Sequence, residues 1–167
     1  MGPFALGGSD CEAVRDAVLA QPVNSLSSLA YVAAGAWVLR RGGPVAPAVA
    51  LAAVGAGSLL YHGPMTAGAE LAHDGSIVAF VAATCLVAWR RRSWPRPPAL
   101  ALAALAAGVA VNLATRTGAP LCRPDSLLQG HAAWHVLTAF GLGLALSRAW
   151  APAPGGSPRP VPTVSSS

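Results

Sequence analysis

Lysine is absent from this chain of 167 residues: all 11 basic side chains are arginine, and only six residues are acidic. Charged residues make up 10% of the sequence, against about 25% in ordinary soluble domains. That scarcity excludes a conventional hydrated surface. With 54% hydrophobic residues and a mean hydropathy of +0.52, the chain reads as one polytopic membrane domain. The net charge of +5 does not mark a nucleic-acid binder, because the arginines fall at the ends of apolar segments rather than along one polar face. Met1 to Gly8 has no basic residue ahead of an apolar core, so no cleavable signal peptide is expected and the first span serves as the insertion signal. Arginine and alanine in place of lysine and isoleucine match a GC-rich genome, which suggests a bacterial plasma membrane.

Five apolar segments are present: Asn24 to Leu39, Ala46 to Tyr61, Leu71 to Trp89, Pro98 to Thr115 and His131 to Trp150. Several are shorter than the roughly 20 residues that cross a bilayer core untilted. All are rich in alanine, glycine and serine, which let helices approach closely. The breaks between them carry helix-stopping chemistry, with proline or glycine at positions 40–44, 63–64, 90–95 and 121–124. The expected fold is therefore all-α, a helical membrane bundle of about five transmembrane helices over residues 1–150. Residues 151–167, mostly Pro, Gly, Ser and Val, offer too little apolar surface to order themselves and are expected to form a disordered cytoplasmic tail.

Charge sets the orientation. With five spans, the side that holds the N-terminus also receives the loops 62–73 and 116–130. It carries all six acids and only Arg15, Arg116 and Arg123, whereas the other eight arginines fall on the opposite side. The positive-inside rule then places the N-terminus outside and the C-terminus in the cytoplasm. Trp37, Trp89 and Trp94 lie near the inner edge, and Trp134 and Trp150 read as further interface or packing aromatics.

Polar residues that played no part in that assignment converge on the outer face. Ser58 and His62 end the second span, Asp74 begins the third, and His131 and His135 begin the fifth. Ionisable groups inside a bilayer are costly and mark function. Residues at i and i+4 share a helix face, so His131 and His135 can present two imidazoles to one ion, with His62 as a third. Three neutral imidazoles make a common catalytic zinc shell with one position left for water. Asp74 could orient that water and take its proton, and Ser58 could donate to an oxyanion. His73 points about 100° away from Asp74 around the helix and reads as a loop-end or supporting residue.

Of the three cysteines, Cys85 sits mid-span and reads as a small core residue. Cys11 and Cys122 both lie outside, where an oxidising compartment permits a disulfide; two free thiols are the alternative.

Taken in order, Asp10-Cys11-Glu12, Gln21-Pro-Val-Asn24-Ser, Gly-Ser58-Leu-Leu-Tyr-His62, Asp74 and Gly-His131-Ala-Ala-Trp-His135 resemble the alkaline ceramidases, in a superfamily of membrane hydrolases that includes the adiponectin receptors. The resemblance covers Asp10 to about Leu146. It implies zinc on His62, His131 and His135, Asp74 acting on the metal-bound water, Ser58 at the oxyanion, and a disulfide like Cys11–Cys122. Two departures stand out. The family has seven spans where this chain has five, and Gln21 occupies the position of an acid in the family's calcium-binding segment. Hard oxygen sites gain affinity from carboxylate charge, which argues against calcium here.

The reading is a zinc-dependent membrane hydrolase acting on a lipid amide, with an N-acyl lipid entering sideways from the bilayer. The alternatives are a receptor or sensor with a structural zinc, and a haem-binding bundle with histidine axial ligands. The arginine split makes one prediction: reporter fusions after Arg92 and after Trp150 should both read cytoplasm. A periplasmic signal from either would undo the five-span topology.

Overall fold

The computed structural model describes residues 8–66, 68–92 and 96–149. The expected tail 151–167, Trp94 and Trp150 lie outside the described residues. Within them the chain is all helical, with no strand: α1 (Pro22–Ser27), α2 (Leu29–Arg40), α3 (Val45–His62), α4 (Ala69–Arg91), α5 (Ala99–Thr115) and α6 (Gly130–Ala149).

Helices α1 and α2 together occupy the first apolar segment. Ser28 between them keeps helical dihedrals (φ −58°, ψ −27°). The irregularity there comes from the Ser27 and Ser28 hydroxyls, each 2.9 Å from the Asn24 carbonyl oxygen, which compete with the backbone ladder. The bundle thus consists of five helical rods, one for each apolar segment. Prolines set their beginnings: Pro44 stands at the N-cap of α3 and Pro98 at that of α5. At its far end, α4 stops on Arg92 in the left-handed region (φ 49°).

Two of these helices, α3 with 18 residues and α4 with 23, are long and apolar enough to cross a membrane. This is fewer than the five spans expected, for identifiable reasons. The first rod is split into pieces of 6 and 12 residues, and α5 has 17. Helix α6 has 20 residues, but His131, His135, Ser147 and Arg148 lower its hydropathy.

Around the bundle the order is α4, α3, α2, α6, α5, an open arc: among the described residues α4 packs on α3 alone, α5 on α6 alone, and α4 and α5 do not meet. The core lies along α2, α3 and α6, built on Tyr31, Ala34, Val38, Leu51, Val54, Ala139 and Leu146. Small residues bring the backbones together. A Cβ at Gly55 would stand 2.8 Å from the Ser28 carbonyl oxygen, and one at Gly57 would stand 2.7 Å from that of Ala72, so a side chain at either position would force helices apart. Because α4 has a single neighbour, only Ala69 and Ala88 on it are buried, and Leu71, Val78 and Trp89 are exposed. Cys85 is exposed as well and not a core residue, for the same reason.

Over the end of the bundle where α3 stops and α6 starts, residues 8–21 form an irregular strap. Cys11 is bonded to Cys122 across 111 positions, with Cα atoms 5.6 Å apart. Backbone contacts reinforce the link: Ala13 N–H donates to the Pro124 carbonyl at 3.0 Å and Thr117 N–H to that of Ser9 at 3.1 Å. Cys11 itself sits at φ 68°, a left-handed conformation that costs a non-glycine residue about 1–3 kcal/mol and persists because its neighbours hold it. Glu12 then caps α1, its two carboxylate oxygens each 2.8 Å from the N–H groups of Val23 and Asn24.

Non-reducing mass spectrometry should therefore recover the Cys11 and Cys122 peptides as one species. Reduction should lower the thermal midpoint in detergent, by up to about 5 kcal/mol of stability for a loop near 100 residues. Quantitative alkylation of both thiols without reductant would reject the link.

Candidate metal centre

Because α3 runs toward the end of the bundle covered by the strap and α6 runs away from it, the last turn of α3 faces the first turn of α6. The i, i+4 spacing puts Ser58 and His62 on one face of α3, and His131 and His135 on one face of α6. The result is a cluster of three imidazoles, with one ligand nitrogen from each within 4.8 Å of the others. Ring centroids are 4.9 Å apart for His62 and His131, 5.3 Å for His62 and His135, and 4.5 Å for His131 and His135. His62 and His135 are buried and His131 is half-buried. The His131 ring meets those of His62 and His135 edge on, and the His62 and His135 rings are tilted by 58°, so no two of the three face each other in parallel as axial ligands across a macrocycle would.

What faces the other side of each ring decides its tautomer. His62 Nδ1 is 2.8 Å from Gln21 Oε1, and His131 Nδ1 is 3.1 Å from Asn112 Oδ1; both partners are amide oxygens that can only accept. His135 Nδ1 is 2.9 Å from Ser27 Oγ, whose own proton goes to the Asn24 carbonyl. Each imidazole therefore carries its proton on Nδ1, and each keeps a lone pair on Nε2. This is the arrangement in which an outer hydrogen bond orients a metal-ligating histidine. Among the described residues, His62 Nε2 is buried with no hydrogen-bond partner, a costly state that a cation among the three rings would relieve.

Asp10 stands behind two of the three rings. Its Oδ1 lies 3.5 Å from His131 Nδ1 and its Oδ2 3.9 Å from His62 Nδ1, so one buried carboxylate serves ligands from two helices. Gln21 links the strap to the site, its Nε2 donating to the Glu12 carbonyl at 2.8 Å while its Oε1 accepts from His62. Glu12 spends its carboxylate on the α1 cap, and Gln21 brings no charge. Of Asp10, Glu12 and Gln21, Asp10 alone offers a carboxylate that no helix cap engages.

Ser58 Oγ lies 3.4 Å from His135 Nε2 and 2.9 Å from Ser28 Oγ, at the wall of a cavity of about 430 Å³. His73, His131 and His135 line the same end. Leu51, Val54, Ile77, Phe80, Leu105 and Leu142 make the remaining wall apolar. The Tyr31 hydroxyl donates to Thr138 Oγ1 at 2.6 Å within that wall, which satisfies both groups away from the histidines.

Asp74 is placed differently from its sequence reading. Its side chain is 67% exposed and it is not among the residues lining the cavity; its Oδ1 accepts from His73 Nδ1 at 2.8 Å. His73, 23% exposed, is the residue that α4 turns toward the histidine cluster. The physical cause is Gly57, which lets α4 settle with Ala72, His73 and Ser76 against α3. Gln21, Ser27, Asn112 and Asp10 were not read from the sequence as partners of the histidines. A lone asparagine in the otherwise apolar α5 was the one sequence signal that could have pointed to Asn112.

Replacing His62, His131 or His135 by Ala should each abolish stoichiometric zinc in detergent-purified protein equilibrated with zinc. Asp10→Asn preserves size but not charge and should weaken the zinc affinity by about 10–100-fold in a chelator titration. Full zinc in any of the three alanine variants would remove that residue from the ligand set.

No family model, no curated protein and no solved structure matches this chain.

Proposed function

We propose that this chain is an integral-membrane hydrolase that uses zinc to cleave a lipid amide, with its histidine end facing outside in a bacterial plasma membrane. The observation that carries this reading is the union of two features: a cluster of three imidazoles with Nε2 lone pairs, two of which, His131 and His135, line one end of a cavity, and a largely apolar wall along the rest of it. Three histidines of this kind fit a zinc ion with an open fourth position. A zinc ion bound there would supply Lewis acidity to a carbonyl oxygen and make water a better nucleophile near neutral pH.

The residues of the chain divide the remaining work. Ser58 can donate its hydroxyl proton to the oxygen that becomes negative as the carbonyl is attacked. Leu51, Val54, Ile77, Phe80, Leu105 and Leu142 bury an acyl chain, which fixes the head group at the polar end and excludes water from the rest. The open side between α4 and α5 gives that chain a route from the bilayer. Membrane insertion is supported by α3 and α4, and by exposed apolar side chains such as Val78, Val81, Leu113 and Phe140, which lipid would solvate. All five helical rods then span, the shorter ones aided by arginines at their inner ends.

The test is a screen of N-acyl lipids with zinc-loaded protein in detergent, reading released fatty acid by mass spectrometry. Release that chelation stops, that zinc restores and that His135→Ala lacks is the expected result. Zinc-loaded protein that releases no acid from any lipid of the panel would overturn the hydrolase and favour a receptor or sensor with a structural zinc.

A further inference from the structure

We propose that His73, held by Asp74, is the catalytic base and acid of this site; the assignment rests on the hydrolase reading and adds a residue to it. His73 lies on the cavity wall at the same end as Ser58, His131 and His135, and it comes from a helix that contributes no metal ligand. It is therefore free for another task. Asp74 Oδ1 accepts from His73 Nδ1 at 2.8 Å, which puts the ring proton on Nδ1 and leaves Nε2 as the basic nitrogen.

Two contacts set the backbone at His73 and one lies against its ring. Gly57 admits the α4 backbone, since a Cβ there would come within 3.0 Å of His73 Cα. Ser76 Oγ donates to the His73 carbonyl at 2.6 Å, and the Tyr61 ring lies against His73 at 4.9 Å with a tilt of 30°. Asp74 is 67% exposed on the far side, so the pair runs from the cavity to outer solvent and can exchange protons there. A carboxylate that orients an imidazole and stabilises its protonated form is a general device for proton transfer, and needs only that the imidazole reach the reacting atoms.

The proton balance is complete with water as the co-reactant. As the water oxygen forms its bond to the amide carbon, His73 Nε2 takes a water proton, and the carbonyl electron pair moves onto the oxygen facing Ser58. The carbonyl then re-forms, the carbon–nitrogen bond breaks with its electron pair going to nitrogen, and His73 returns the proton to that nitrogen. The products are a fatty acid and an amine.

The experiment compares His73→Gln, Asp74→Asn and the unaltered protein for zinc content, thermal midpoint and turnover, with and without added imidazole. His73→Gln should keep its zinc and midpoint, lose about 10²–10⁴-fold in turnover, and recover part of it in imidazole. Asp74→Asn should keep zinc and lose less than His73→Gln, because the ring remains. Unchanged turnover in His73→Gln would overturn the assignment. So would a larger loss in Asp74→Asn than in His73→Gln, which would make the carboxylate itself the base, or loss of zinc in His73→Gln, which would make His73 a ligand. No turnover by the unaltered zinc-loaded protein would overturn the hydrolase and this role together.

Discussion

Burying three imidazoles at one point is the constraint on which the rest of this structure depends. Each ring needs an acceptor on Nδ1 if its Nε2 is to stay available, and the acceptors come from three separate places: Gln21 ahead of α1, Ser27 at the end of α1, and Asn112 on α5. The site is thus a property of the packed bundle rather than of the two helices that carry the histidines. Removing one acceptor would free a ring to turn, and the converging lone pairs would be lost with no ligand changed.

The strap follows from that requirement. Gln21 and Asp10 can serve the histidines only if residues 8–21 stay in place, yet this stretch has no helix or sheet to order it. Order comes instead from the Cys11–Cys122 bond, from backbone contacts to the 117–124 loop and from Glu12 capping α1. Left-handed backbone at Cys11 is tolerated because these neighbours determine its conformation from both sides. The histidine end of the protein is therefore stapled by a covalent bond.

An open arc of helices is the other consequence of a short chain. With α4 held only by α3, and α5 only by α6, the bundle has a side that no helix closes. In water that would expose a long apolar face; in a bilayer, lipid fills the same role. The cavity behind that opening is largely apolar away from its histidine end.

Much of this was legible from the sequence, because helical period and charge asymmetry act locally. Apolar stretches gave five rods, i, i+4 spacing paired Ser58 with His62 and His131 with His135, and parity brought all four to one end. Both cysteines on that side are joined as their location permits. Tertiary structure alone decided the rest. Glu70, His73 and Asp74 crowd one side of the first turns of α4, so its sequence does not say which of them turns inward; the close approach allowed by Gly57 on α3 seats the helix so that His73 rather than Asp74 lines the cavity. The partners of the three rings were, Asn112 aside, without a local signal, since Asp10, Gln21, Ser27 and Asn112 lie up to about 120 positions from the histidines they serve, and only packing brings them together.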